Sequence, residues 1–195
     1  MALLDIFRSK AEQKTAQNTR RLLSELSKVP DVCDAGLCLQ LIEDGVHVNA
    51  RDWDFGAAYM RALHYAARNG QNEIVSALID KGADVNATSS PGTPLMIAVR
   101  NFHMDIARIL LENGADPNYE NTFGSPLIYA TAYKDPKMTQ LLLDHGGKIT
   151  KKLSKFRRNN WAVDAVCKRA ETVQTFKNAA EKGTVKKRKI RRRIL

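Results

Sequence analysis

At 195 residues and a net charge of +10, the chain is the size of one domain or of one repeat stack with tails. Residues 151–195 hold 16 of the 31 Lys and Arg against three acids, a net +13, which leaves residues 1–150 at −3. Three cysteines with no Cys-x-x-Cys indicate neither a disulfide framework nor a zinc site and fit a reducing interior; no N-terminal signal peptide and no run of ~20 apolar residues is present, which predicts a soluble, intracellular protein.

In chain order, residues 2–16 read either as a short helix, with Leu3, Leu4, Phe7 and Ala11 along one side, or as a tail. Asn18 or Thr19 is expected to cap a second helix with the apolar stripe Leu22, Leu23 and Leu26, ending before Pro30. Asp31 or Asp34 then starts another, carrying Leu37, Leu41 and Ile42. Cys33 and Cys38 are read as inert core thiols on that packed helix, the alternative being reactive thiols.

From Arg61 to Gly146 one pattern is written three times. Leu63, Leu95 and Leu127 lie 32 residues apart, as do Gly82, Gly114 and Gly146. Ile74, Ile106 and Met138 keep the register, and so do Leu78, Leu110 and Leu142. Such a period belongs to stacked helical repeats, whose units bury an apolar face only against their neighbours. Leu37, Leu41 and Ile42 precede Ile74, Leu78 and Ile79 by 37 residues, one repeat plus an insertion of five. Thr93 and Ser125 suit an N-cap, with Pro94 and Pro126 at the first helical position. Arg61-Ala62 has neither device, so packing is expected to hold that start. The three glycines suit a left-handed position just past a helix end.

The middle copy runs Gly92-Thr93-Pro94-Leu95, then a helix, then Asp105-Ile106-Ala107-Arg108-Ile109-Leu110-Leu111-Glu112-Asn113-Gly114-Ala115-Asp116. The copy before it has Leu63-His64-Tyr65-Ala66-Ala67 and Gly82-Ala83-Asp84-Val85-Asn86-Ala87, echoed upstream by Gly45-Val46-His47-Val48-Asn49-Ala50. These motifs resemble the ankyrin-repeat family. The resemblance implies an all-α ankyrin-repeat solenoid of helix-turn-helix repeats with short hairpin loops and helical caps at both ends. The division expected is an N-terminal helix or tail over 1–18, a degenerate capping repeat over 19–50, and three full repeats over 51–150 with a finger insertion at 53–60. A helical C-terminal cap over 151–183 and a basic flexible tail over 184–195 complete it.

The resemblance also implies a concave contact surface, lined by hairpin fingers and exposed positions of the first helices. Carried over residue by residue, the pair after the Ala-Ala step falls on Arg68-Asn69, Arg100-Asn101 and Ala132-Tyr133. The fingers fall on Trp53, Asp54 and Phe55, on Ser90 and Pro91, and on Thr122 and Phe123. Partner-binding candidates are therefore Trp53, Phe55, Tyr59, Arg68, Asn69, Arg100, Asn101, Phe123 and Tyr133, a mixture of aromatics and arginines of the kind that favours protein interfaces. Trp53, Phe55, Tyr59 and Met60 either fold back on the first repeat, or Trp53, Phe55 and Tyr59 anchor a partner. His64 stands at the family's usual histidine position, which implies a bond to the neighbouring loop.

Residues 159–182 read as an amphipathic helix with Trp161, Ala165, Val166, Ala170, Val173 and Phe176 at helical spacing, stopped by Gly183. It is expected to cap the third repeat, the alternative being a partner-binding helix. The tail holds Lys186, Lys187, Arg188, Lys189, Arg191, Arg192 and Arg193. It suits an import receptor, nucleic-acid phosphates, an anionic membrane or a secretion signal, and it lacks aromatics for base stacking.

No nucleotide-binding or nucleophile-elbow motif occurs, and His47, His64, His103 and His145 occupy non-equivalent repeat positions. No catalytic residue, metal, cofactor or small-molecule substrate is expected. The function expected is that of a protein-binding adaptor, cytoplasmic or nuclear, with a basic tail for localisation or anionic partners. The alternatives are a nucleic-acid-associated protein and a bacterial effector delivered into host cells.

Overall fold

The computed structural model describes residues 10–52, 59–153 and 161–181, with 176, 177 and 179–181 described by backbone only. Among these there are nine helices and no strand beyond two isolated bridges. In chain order they are α1 (Lys10–Ser27), α2 (Ala35–Glu43), α3 (Ala62–Asn69), α4 (Asn72–Asp80), α5 (Pro94–Arg100), α6 (Met104–Glu112), α7 (Pro126–Ala132), α8 (Pro136–Asp144) and α9 (Trp161–Glu181). The chain divides into two units, Met1–Pro126 and Leu127–Leu195.

In the first unit consecutive helices pair, α1 with α2, α3 with α4 and α5 with α6, and the pairs stack in two rows. The first helices form the row α1, α3, α5, and the second helices the row α2, α4, α6. Leu22, Leu26, Ile42, Leu63, Ile74, Leu78, Leu95, Ile106 and Leu110 are fully buried between them. Ala66, Ala67 and Ala98 are also fully enclosed. A methyl group at those positions lets the first helices approach closely, and a larger side chain would overpack the contact.

Each start and stop has an identifiable cause. Asp34 caps α2 by accepting from Leu37 N at 2.9 Å, and Thr93 caps α5 by accepting from Met96 N at 3.4 Å, with Pro94 following. The start of α3 corrects the expectation of packing alone: Nδ1 of His64 reaches back to accept from the Arg61 amide at 3.1 Å. Gly82 and Gly114 hold φ of 84° and 85°, and the amides after them, Ala83 and Ala115, donate to Leu78 and Leu110 carbonyls at 2.9 Å. This 6→1 bond is the Schellman ending, which the left-handed glycine permits.

Asparagines then lace one repeat to the next. Asn49 donates to Gly82 O at 3.0 Å and accepts from Asp84 N at 2.8 Å, and Asn86 repeats both bonds one unit on, with Gly114 O and Asp116 N. Asp84 and Asp116 each accept from the amide two residues ahead, so the turn carboxylates serve the backbone. Asn86→Ala is expected to cost about 1–2 kcal/mol, two exposed hydrogen bonds at modest net value, read as a lower urea midpoint with an unchanged slope.

Two sequence expectations are corrected. The helix start placed at Asn18 or Thr19 does not exist, because α1 runs without a break from Lys10. The two polar residues point sideways instead: Asn18 donates to Gly45 O at 3.3 Å, and Thr19 accepts from His47 N at 2.8 Å while donating to Thr15 O. Cys33 does not lie on a helix; it follows the 3-10 turn Pro30–Val32 just ahead of α2.

In the second unit, α7 and α8 bury Leu127, Ala130, Met138 and Leu142, and α9 packs on α8. Leu127 is the second residue of its helix and fully buried, as Leu63 and Leu95 are in theirs. Gly146 is left-handed at φ 90°, and Gly147 N donates to Leu142 O at 2.8 Å, so the last repeat ends like the others. The stripe expected on α9 is rotated: Val163 and Cys167 are fully buried, whereas Trp161 is 85% exposed. Gly183 and the side chain of Phe176 lie outside the described residues.

Candidate functional site

The carboxyl ends of α1, α3 and α5 are tied side by side by side chains that reach for carbonyls no helix can satisfy. Asn69 Nδ2 donates to Leu26 O at 2.9 Å and Lys28 O at 3.3 Å, and Arg68 donates to Ser27 O at 3.1 Å. One repeat further, Nε2 of His103 bonds Arg68 O at 3.1 Å. Gly70 makes room for that ring: a Cβ there would stand 2.7 Å from His103 Cε1, and φ is 77°. Three successive helix ends thus share one bonded edge.

Arg68 is fixed on this edge. Its Nε donates to Asn69 Oδ1 at 3.3 Å, and its guanidinium carbon lies 5.0 Å from the centre of the Tyr65 ring. Tyr65 in turn donates to Asp52 at 2.8 Å, and burial first, then the Asp52 carboxylate, pushes its phenol up to about 12, so it stays a donor. Asp52 is buried, and its amide donates to Met60 O at 2.8 Å, closing the base of the first finger. Met60 is buried and Tyr59 exposed. Trp53, Asp54 and Phe55 lie outside the described residues.

The remaining candidates divide by accessibility. Asn69 is 8% exposed and its amide is spent on α1 carbonyls, so sequence position misplaced it as a surface group. Arg100 and Asn101 are exposed at the end of α5, where Asn101 Nδ2 caps Ile97 O at 2.8 Å. Phe123 is 74% exposed at the tip of a two-residue hairpin closed by paired bonds between Asn121 and Gly124. Tyr133, in the second unit, is exposed and stacks on Tyr129 with centroids 6.3 Å apart. The basic residues of the tail lie outside the described residues.

Phe102 was not legible as a site residue. It is 56% exposed with φ +60°, at the register position held by Gly70 and, in the second unit, by Lys134, also at +60°. A left-handed backbone disfavours any side chain bearing a Cβ, by roughly 1–2 kcal/mol. An exposed aromatic residue therefore occupies a position where glycine would cost less.

His64 is fully buried, accepting from Arg61 N and bonding Ala87 O at 3.0 Å, the neighbouring-loop contact that its position implied. Burial, followed by the Arg61 charge, holds its ring down to about 4 against the pull of the Ala87 carbonyl, so it is neutral with the proton on Nε2. His145 bonds Leu141 O, and among the described residues no group of three or more His, Cys, Asp or Glu is placed to hold a metal ion. No described helix is long and apolar enough to cross a membrane.

A family model described as "Ankyrin repeats (3 copies)" matches residues 31–121 and again 63–153, together more than half of the chain. No curated protein matches it. Ankyrin repeats generally mediate protein–protein interaction, and the family is typically a non-enzymatic binding module. Residues 31–153 contain helices α2 to α8, the Schellman glycines and the asparagine lacing; the chain belongs to the ankyrin-repeat family.

Proposed function

We propose that this chain is an adaptor whose partner docks on the first-helix edge of the Met1–Pro126 unit, through Arg68 and Arg100 with Phe102 as an apolar anchor. The observation that carries it is the pinned Arg68 guanidinium, held by Ser27 O, Asn69 and the Tyr65 ring, with His103 linking the Arg68 carbonyl to the next repeat, where Arg100 and Phe102 are exposed. Lys28 lies on the same edge, with its ammonium paired to Glu25 at 2.6 Å. A fixed arginine loses little freedom on binding, and it reads carboxylates with a planar fork, so the partner segment that fits bears Asp or Glu next to an apolar residue. Tyr59 and the fingers at Ser90-Pro91 and Thr122-Phe123 are further contact candidates, and Tyr133 is one within its own unit. The basic stretch 184–195 is assigned to an anionic partner or an import receptor on its charge alone.

Affinity purification of the full chain, beside Arg100→Ala, Phe102→Gly and a variant ending at residue 183, tests this. Phe102→Gly is expected to unfold at an equal or higher urea concentration than the parent while losing at least tenfold in partner retention, and Arg100→Ala is expected to lose retention similarly. Truncation at 183 is expected to leave that partner bound. Retention unchanged in both point variants overturns the edge assignment.

A further inference from the structure

Cys33 and Cys38 occupy the residue before the cap of α2 and the fourth residue inside it, with Asp34 as the cap between. These are the two positions whose side chains meet in a hydrophobic staple, the contact that sets how a chain enters a helix. Here both are thiols, and their sulfurs lie 3.8 Å apart. Any aliphatic pair would serve the staple, so packing alone does not account for two sulfurs in contact.

The two differ in what they meet. Cys33 is half-buried, and Nε2 of Gln71, from the turn between α3 and α4, donates to its Sγ at 3.1 Å. Cys38 is fully enclosed. Its burial, and then Cys33 beside it, push its thiol up to about 12, with Glu25 and Asp34 adding smaller contributions in the same direction. One cysteine is therefore partly exposed with a hydrogen-bond donor at its sulfur, and the other is buried as a protonated thiol.

We propose that Cys33 and Cys38 form an oxidisable dithiol, in which Cys33 reacts with a hydroperoxide and Cys38 resolves it to an intramolecular disulfide. In the first step the Cys33 sulfur takes the terminal peroxide oxygen. The O–O bond breaks, the sulfur is oxidised to sulfenic acid, and the remaining oxygen leaves as water or an alcohol. In the second step Cys38 Sγ attacks the sulfenic sulfur, the S–O bond breaks, and the hydroxyl departs as water with the Cys38 proton. Two thiols are oxidised by two electrons, and one peroxide is reduced. The product fastens the entrance of α2 at the point where Gln71 links it to the next repeat.

The test is peroxide treatment of the folded full-length chain, followed by alkylation, intact mass and peptide mapping. The expected result is loss of two of the three alkylatable thiols, a mass lower by two hydrogens, a Cys33–Cys38 linked peptide, and full reversal by dithiothreitol. Hydrogen exchange at the first-turn amides of α2 is expected to slow several-fold on oxidation. Cys38→Ser is expected to halt at a Cys33 sulfenic acid captured by dimedone, and Cys33→Ser to leave Cys38 unoxidised over the same exposure. Cys38→Ala serves in its place if the serine variant does not fold, as read by circular dichroism. Three thiols still alkylatable, a linkage to Cys167 or to a second chain, or equal oxidation of Cys38 in Cys33→Ser would each overturn the proposal.

Discussion

Leu95→Ala is expected to destabilise the chain by about 2–5 kcal/mol, enough to remove a large fraction of the stability of a domain this size. Leu95 is fully buried at the second position of α5, the helix that packs on α3 and α6. Truncation leaves a void in a fully buried layer of the stack. A stack of this kind holds each repeat through its neighbours, so the loss spreads to the α3–α4 pair. Leu95→Met, which nearly conserves volume, is expected to cost less than about 1.5 kcal/mol. Urea unfolding of the three proteins checks both figures; a cost below about 1 kcal/mol for the alanine variant would remove Leu95 from the core.

Mild acid is expected to weaken the fold through one side chain. The His64 ring has a folded value of about 4 against 6.5 for the free side chain. The folded state therefore binds this proton less readily than the unfolded state. The contribution is complete above pH 6.5 and is lost as pH falls towards 4. By linkage the loss is about 2 kcal/mol at pH 5 and about 3 kcal/mol at pH 4. Protonation would leave Nδ1 unable to accept from Arg61 N and set a charge beside the Arg61 guanidinium. Glu25 works in a lower window: its hydrogen bond to Lys28 holds its carboxyl below 4.5, so its contribution fades only below that value. Urea midpoints measured from pH 7 to pH 4.5, with His64→Gln for comparison, separate the two. The parent should lose stability across this range, and the variant, weaker at neutral pH, should show a much flatter profile. Parallel profiles would show that another group carries the effect.

Much of the fold was legible because its determinants recur at a constant offset. Leu63, Leu95 and Leu127 are the same residue at the same place in a helix, and Gly82, Gly114 and Gly146 all hold a backbone conformation that glycine adopts at little cost. Asn18 and Thr19 misled because polar residues ahead of a leucine stripe look like a cap, whereas their bonds run to Gly45 and His47 in a turn remote in sequence. Trp161 misled for a related reason. Its hydrophobicity put it on the buried stripe of α9, yet Val163 and Cys167, smaller side chains one turn apart, are the ones packed away.

The candidate site was less legible than the fold. Arg68 and Arg100 could be placed by their offset, but nothing in the order of residues distinguishes Asn69, buried against α1, from Asn101, exposed at the end of α5. The first meets the carbonyls at the end of α1, and the second caps its own helix. The left-handed turn at Phe102 and the contact between Cys33 and Cys38 likewise depend on backbone geometry that composition does not encode.

The sequence alone determined the repeat, its period and the glycines that end its helices, because each depends on local conformational preference and on burial that recurs unit by unit; the charge division between residues 1–150 and 151–195 follows from composition. Only the tertiary structure decided which of the polar residues are spent inside. Whether a carbonyl at the end of one helix is met by Arg68, Asn69 or His103 depends on how closely the next repeat approaches, and that distance is set by the summed packing of small alanines and large leucines rather than by any one residue.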